Sequence, residues 1–293
     1  MPELPEVQTI VSDLSKILPG FSIREVWTDW KKLIKNPKSF DEFRRQLLGR
    51  KILKVRRRGK NILIDLSNNK TLLIHQKMTG HMLYGRWNLR QGRWIGVEKG
   101  PIRDDPQNRF LHLVISLSNN KQLALSDLRK FAKVLIWPTD KLSELEDIKN
   151  IGPEPLEKSF TFEKFKKDLE KKKAKIHQVL MNQKIIAGIG NIYSSEILWE
   201  AGIHPLKEVN KLSEEELKKI YQAIKKVLTK ALKAKGDSTS DYRRPSGEKG
   251  GYQKIQNAYQ MEGKKCKKGD GGIIKRIKIG SRSAHFCPKH QKL

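Results

Sequence analysis

The hydrophobic period of this chain changes at Pro138 from mainly that of strands to that of helices, and that change fixes its gross organisation. Before it, short apolar runs cover 22–27, 51–56, 61–66, 71–75, 110–117, 122–126 and 133–137. Runs of this length bounded by turn residues predict β-strands. Asn68-Asn69 and Asn119-Asn120 sit between runs as hairpin turns. After Pro138 the spacing is helical, over 162–169, 176–181, 191–201 and 213–235, and Ser213 with Glu216 forms a capping-box signal for the last helix. Two more helices flank the strands. One covers 4–18, with Leu4, Val7, Ile10, Val11, Leu14, Ile17 and Leu18 on one face and Pro19-Gly20 at its end, and the other covers 40–48. Strands followed by helices predict an α+β multidomain chain. Its first part, 1–138, reads as a β-sandwich or barrel flanked by helices. A linker, 139–156, carries Gly152, Pro153 and Pro155. A helical part, 157–252, ends in a Gly-, Ser- and Arg-rich stretch, 236–251, expected to be a mobile loop. A very basic tail occupies 253–293, and there are no internal repeats.

Charge narrows the partners. Of 293 residues, 61 are Lys or Arg and 32 Asp or Glu, a net +29, which creates a field that attracts polyanions. Hydrophobic residues make up 37%, enough to exclude a disordered basic chain. No run approaches the roughly 20 apolar residues of a membrane helix, and MPELPEVQTI lacks a basic-then-apolar leader. The expectation is a cytoplasmic, nucleoid-associated protein with no membrane partner. Two cysteines, Cys266 and Cys287, cannot form a disulfide framework for this length.

Several short motifs bear on chemistry. Removal of the initiator Met would leave Pro2 with a free secondary amine, and an α-amino group is far less basic than a lysine side chain, so more of it is nucleophilic at neutral pH. Such an amine can attack an electrophilic sugar carbon to form an iminium, and Glu3 could move protons beside it. Pro2, Pro5, Glu3 and Glu6 equally suit the first turn of a helix, so the residues alone leave both readings open. Lys60 follows Gly59 and three arginines at a strand end. Gly188-Ile189-Gly190-Asn191 precedes a helix, an arrangement that lets backbone N–H groups approach a phosphate.

MPELPEVQT at the first residue, RRRGKNILIDL (56–66), IHQKMTG (74–80), SDLRKF (126–131), IGPEPL (151–156) and GIGNIYSSEILWEAGIHP (188–205) resemble, in order, the motifs of the formamidopyrimidine-DNA glycosylase family of the Fpg/Nei superfamily. The resemblance runs the length of the chain, and the Leu4-Pro5-Glu6-Val7 wording is similar to its oxidised-purine branch. It implies a sandwich catalytic domain, a helix-two-turn-helix domain with a lesion-capping loop at 239–252, and a C-terminal β-hairpin finger. Pro2 would be the nucleophile and Glu3 the acid/base, with Lys60 and Arg282 as catalytic cations. Met78, Arg129 and Phe131 would form the wedge that enters the duplex when a damaged nucleotide rotates out, opposite cytosine. Asn191, Lys172, Lys173 and Glu6 complete the expected DNA-binding set. The partner implied is double-stranded DNA containing damaged bases, bound by a monomer. His177 stands where many members have Lys, which puts a phosphate contact there in doubt.

The family's finger carries two Cys-x-x-Cys pairs. Here the first is Cys266-Lys-Lys-Gly269 and the second Cys287-Pro-Lys-His290. Cys266, Cys287 and His290 can supply three tetrahedral zinc ligands, with Asp270 or His285 as the fourth. The competing form is a zincless finger held by packing. The function implied is a bifunctional glycosylase and AP lyase that removes oxidised purines (8-oxoguanine, formamidopyrimidines) by β,δ-elimination. Its alternatives are a non-catalytic DNA-binding or architectural protein and an oxidised-pyrimidine glycosylase of the same superfamily.

Overall fold

The computed structural model describes residues 1–170 and 172–293. The chain forms two compact units, 1–149 with 234–253, and 150–233 with 254–293.

The first unit begins with α1 (Leu4–Leu14), whose last turn continues through Leu18 N donating to Leu14 O at 2.9 Å. Its strands are β1 (Ile23–Trp27), β2 (Ile34–Asn36), β3 (Ile52–Arg58), β4 (Asn61–Leu66), β5 (Lys70–His75), β6 (His81–Gly85), β7 (Trp87–Arg90), β8 (Arg93–Gly96), β9 (Leu111–Leu117), β10 (Gln122–Ser126) and β11 (Lys133–Pro138). Short helices α2 (Phe40–Leu47), α3 (Pro101–Asp104) and α4 (Glu146–Lys149) lie between or after them. One sheet has the order β1-β9-β10-β6 and the other β2-β11-β5-β4-β3. Asn68 and Asn69 both adopt positive φ, 64° and 54°, in the three-residue turn 67–69 that joins β4 to β5, with Leu66 paired to Lys70. The main core joins α1 (Val7, Ile10, Leu14) to the inner faces of both sheets (Ile62, Ile64, Ile74, Leu113, Leu125). This is the expected helix-flanked sandwich.

Both sheets are also covered on their outer faces, which explains where the unit ends. Leu63, Leu73 and Leu135 point away from the core and pack against Leu142 and Leu145. The first half of the expected linker, 139–149, therefore folds onto the first unit. Leu83, Leu111 and Val114 pack with Trp87, Trp94 and Ile102, so the β7–β8 hairpin and α3 cover the other sheet. The 236–251 stretch also belongs here, because Tyr242 is part of the main core. The end of the expected 157–252 part thus packs with the first unit, which takes 234–253, and the helical unit resumes at 254.

The second unit holds α5 (Phe162–Leu169), α6 (Ile176–Met181), α7 (Asn191–Ala201) and α8 (Glu214–Lys233). Ser213 and Glu216 close the expected capping box at 2.9 and 3.2 Å. Strands β12 (Lys275–Ile279) and β13 (Arg282–Phe286) pair as a hairpin around Gly280, whose φ is +61°. The hairpin region packs on α7 through Trp199, Ala258, Cys266, Ile274 and Cys287. Glu196 of α7, buried, accepts from the backbone N–H groups of Asn257, Ala258 and Tyr259 at 2.8–3.1 Å. No helix among the described residues is long and apolar enough to cross a membrane.

Candidate functional site

Pro2 and Glu3 are both buried at the start of α1. Glu3 is its N-cap, and its backbone N–H donates to Glu6 Oε2 at 2.8 Å in a reciprocal capping box that fixes the chain's entry into the helix. The other oxygen of Glu6 accepts from Asp237 N at 2.8 Å. Glu6 is 1% exposed. A carboxylate so buried and so engaged is no DNA contact, which corrects the expectation for Glu6: it positions the amino terminus.

Lys60 is buried too, after Gly59, whose φ of +56° turns β3 into β4. Opposite Asn61 in the sheet lies His75, and opposite His75 lies Lys133. Burial, with the charges of Lys77, Lys133 and Lys60, pushes His75 down to about 3. The imidazole is neutral at any physiological pH, and its Nδ1 accepts from Lys77 N at 3.0 Å.

Met78, Arg129 and Phe131 lie side by side. The Arg129 guanidinium stacks over the Phe131 ring at 4.8 Å, and its Nη1 lies 3.6 Å from Met78 Sδ. Phe131 is 50% exposed. Sequence reasoning missed the residue that builds this tip. Asp127, buried, accepts from Ala132 N at 2.7 Å and from Thr79 Oγ1, and Thr79 Oγ1 in turn accepts from Arg129 N at 3.0 Å. The turn it stabilises puts Lys130 at φ +56°.

In the second unit Asn191 is the first residue of α7 and Gly190 its N-cap. Gln183 ties down the preceding turn, accepting from Gly188 N at 2.8 Å and donating to Ile189 O at 2.7 Å. The α7 amino terminus offers the positive end of an eleven-residue helix. Lys172 and Lys173 are exposed beyond α5. His177 has no exposed surface, and burial lowers it to about 4, so it is an uncharged interior residue and no phosphate contact. On the hairpin, Lys275, Arg276, Lys278 and Arg282 are all exposed.

Cys266, Asp270, Cys287 and His290 bring one donor atom each within 4.8 Å of one another. Cys287 Sγ lies 3.3 Å from Asp270 Oδ2 and Cys266 Sγ 3.7 Å from His290 Nδ1, while His290 Nδ1 and Asp270 Oδ2 are in direct hydrogen-bond contact at 2.7 Å, a contact that a metal between them would replace. Tetrahedral zinc with bonds of about 2.0–2.3 Å separates its donors by roughly 3.3–3.8 Å. The supporting contacts also fit. His290 Nε2 lies 3.2 Å from Trp199 O, leaving Nδ1 to face the cluster, and Asp270 Oδ1 accepts from Gly272 N at 2.8 Å. That N–H, first among several bonds, holds the Asp270 carboxyl down at about 2. A Cβ on Gly272 would stand 2.3 Å from Cys287 Sγ, so the backbone cradles the thiol too closely for any side chain. Gly269, where a second cysteine was expected, is at φ +72°, and the turn it makes delivers Asp270. His285, the other candidate, stacks on Tyr259 at 5.2 Å and is not in the cluster.

An N-terminal sandwich, a helical unit with a glycine-led helix and a basic hairpin define a nucleic-acid-processing architecture, and comparisons with known proteins give it a family. Residues 1–134 match the formamidopyrimidine-DNA glycosylase N-terminal domain and 151–243 the formamidopyrimidine-DNA glycosylase H2TH domain. A formamidopyrimidine-DNA glycosylase of Pelotomaculum thermopropionicum is 38% identical over 293 residues, covering 100% of both chains. Lactococcus lactis Fpg solved with DNA containing an abasic site superimposes with a TM-score of 0.85 at 31% identity, covering 99% of this chain and 100% of that one. A MutM solved with DNA containing carbocyclic 8-oxo-G gives 0.85 at 32%, covering 100% of each. The chain belongs to the formamidopyrimidine-DNA glycosylase family.

Proposed function

We propose that this protein is a bifunctional DNA glycosylase and AP lyase of base excision repair that removes oxidised purines, 8-oxoguanine and formamidopyrimidines, from duplex DNA. The observation that carries the reading is the exposed Met78–Arg129–Phe131 tip, built on buried Asp127. An aromatic face and a guanidinium in solvent, with a half-buried thioether beside them, make a surface that a partner can cover. They suit a duplex, where they fill the gap left by an extruded nucleotide and hydrogen-bond the orphaned base.

The chemistry starts at Pro2. After loss of Met1 its nitrogen lone pair attacks C1′ of the extruded nucleotide, the glycosidic bond breaks, and the base leaves with its bonding pair. Glu3, fixed at the helix N-cap, passes a proton to the ring oxygen as the sugar opens to the iminium. Loss of a C2′ proton then expels the 3′ phosphate, and a second elimination expels the 5′ phosphate. Lys60 and Arg282 stabilise the phosphate charge that develops, while Asn191, Lys172 and Lys173 hold the backbone. Cys266, Asp270, Cys287 and His290 would hold a structural zinc that fixes the fold of the finger. The protein acts as a monomer on double-stranded DNA.

Incubation with duplexes carrying 8-oxoguanine opposite C and thymine glycol opposite A tests the substrate class. Faster excision of 8-oxoguanine is expected. Preference for thymine glycol would move the protein to the oxidised-pyrimidine reading, and binding without cleavage of either would make it a non-catalytic binder.

A further inference from the structure

The stretch 236–251 was expected to be mobile, yet 237–252 is fastened at three levels within the first unit. At its root, Asp237 N donates to Glu6 Oε1, and the other oxygen of that carboxylate holds Glu3 N. Gly236 is at φ +80°, and a Cβ there would stand 2.8 Å from Glu6 Oε1. Midway, the Arg243 side chain, 5% exposed, places Nε and Nη2 on the two oxygens of Asp105 at 2.6 and 3.3 Å. Its Nη1 donates to the carbonyls of Ser240 and Tyr242 at 3.0 and 2.8 Å, so one guanidinium ties the loop to itself and to the body. At the tip, Asn108 Nδ2 donates to Gly247 O at 3.2 Å and to Pro101 O at 2.8 Å. Asn108 Oδ1 then has to accept, and it lies 2.9 Å from His81 Nε2. That assignment makes His81 the Nε2–H tautomer, a fixed donor. Tyr84 N completes the seam by donating to Pro245 O at 2.8 Å.

We propose that Asp105 and Asn108, neither in a motif of the family resemblance, are positioning residues that hold 237–252 as a preformed wall for the extruded base. The inference rests on the functional reading above. A wall ordered during folding does not have to be ordered by the substrate, so substrate binding keeps the free energy that ordering would consume. The Glu6 contact to the residue beside the nucleophile is made by the root at Asp237 and not by the segment that Asp105 and Asn108 hold. The benefit falls on steps in which a base occupies the pocket, and not on cleavage at a site that has lost its base.

The test compares full-length wild type with Asp105→Asn, Asn108→Ala and the conservative Asp105→Glu on two duplexes, one with 8-oxoguanine and one with a preformed abasic site. Base excision in the first two variants is expected to fall about 10- to 100-fold, the scale of a misplaced positioning group. Strand cleavage at the abasic site is expected to stay within about twofold on the same reasoning, and Asp105→Glu to recover most of the loss. Equal loss on both substrates, or no loss on either, overturns the proposal. A wild type inactive on both overturns the functional reading and this inference with it. Trypsin supplies a readout free of activity: in DNA-free protein the Arg243–Arg244 segment should resist cleavage in wild type and be cut in Asp105→Asn. Equally rapid cutting in both overturns the preformed wall while leaving the functional reading intact.

Discussion

Replacing Asp270 with Ala should loosen the finger's hold on its metal without unfolding the rest of the chain. Zinc contributes about 10–16 kcal/mol to finger-like sites, which shared over four donors is roughly 3 kcal/mol each, or about a hundredfold in affinity. The structure adds a smaller amount, because Gly272 N loses its 2.8 Å acceptor, on the order of 1 kcal/mol for one hydrogen bond. Cys266, Cys287 and His290 remain, so the variant should still bind zinc, and the expected signature is faster release. Elemental analysis should find one zinc per chain in wild type, and transfer to a colorimetric chelator should be at least tenfold faster in Asp270→Ala. Asp270→Asn, which keeps the shape and removes the charge, should fall between them. Wild-type release kinetics in Asp270→Ala would place the fourth ligand elsewhere. A wild type purified without zinc, and unable to take it up, would refute the metal site and favour a finger held by packing.

Three further outcomes follow from the geometry. His75, His81 and His177 are held neutral at about 3, 4 and 4, chiefly by burial, whereas the unfolded chain protonates them near 6.5. Between those values the unfolded state binds more protons, so stability is full above about pH 6.5 and falls as pH drops, by on the order of 2 kcal/mol per histidine at about pH 5. Urea denaturation at about pH 7.5 and pH 5 checks this, and an unchanged midpoint would contradict it. His177→Leu should weaken that pH dependence and leave the protein no less stable, because both ring nitrogens of His177 are buried without a partner among the described residues. Phe131→Ala should change stability by less than about 0.5 kcal/mol, since the ring is half exposed. It should slow excision from fully paired duplex by roughly 5- to 100-fold, the worth of one base–aromatic stack. An equal loss on an already unpaired lesion would argue against a wedge.

The helix-flanked sandwich was legible because its long strands carry strong apolar runs and its hairpins carry asparagine pairs. Strand β6 was not, since Met82 faces the main core and Leu83 the outer cluster, so both are buried and no alternation survives. The β7–β8 hairpin turns on Gln91-Gly92, both at positive φ, a signal that its tryptophan spacing on either side could have confirmed. The polar stretch 236–251 read as mobile because composition registers solubility and cannot register partners. Arg243 finds its carboxylate 138 residues away. Within the site, the residues that would touch DNA or sugar and those that hold them stood in the same motifs, and the motifs did not show which did which. Asp127 organises the wedge from beneath, and Glu6, chosen as a DNA contact for its place beside Pro2 and Glu3, is occupied with backbone N–H groups. Asp270 was one of two options for the fourth donor. Only the left-handed turn at Gly269 shows how a residue one place out of register reaches the cluster.

The central claim is that Pro2 forms a covalent bond to the sugar of a damaged nucleotide, and reductive trapping tests it most directly. Sodium borohydride added to protein and an 8-oxoguanine:C duplex should give a covalent protein–DNA adduct with wild type. Pro2→Gly, and a chain extended before Met1 so that the proline nitrogen stays in an amide, should give little or none. An absent adduct with active wild type, or an undiminished adduct with the extended chain, would contradict the account.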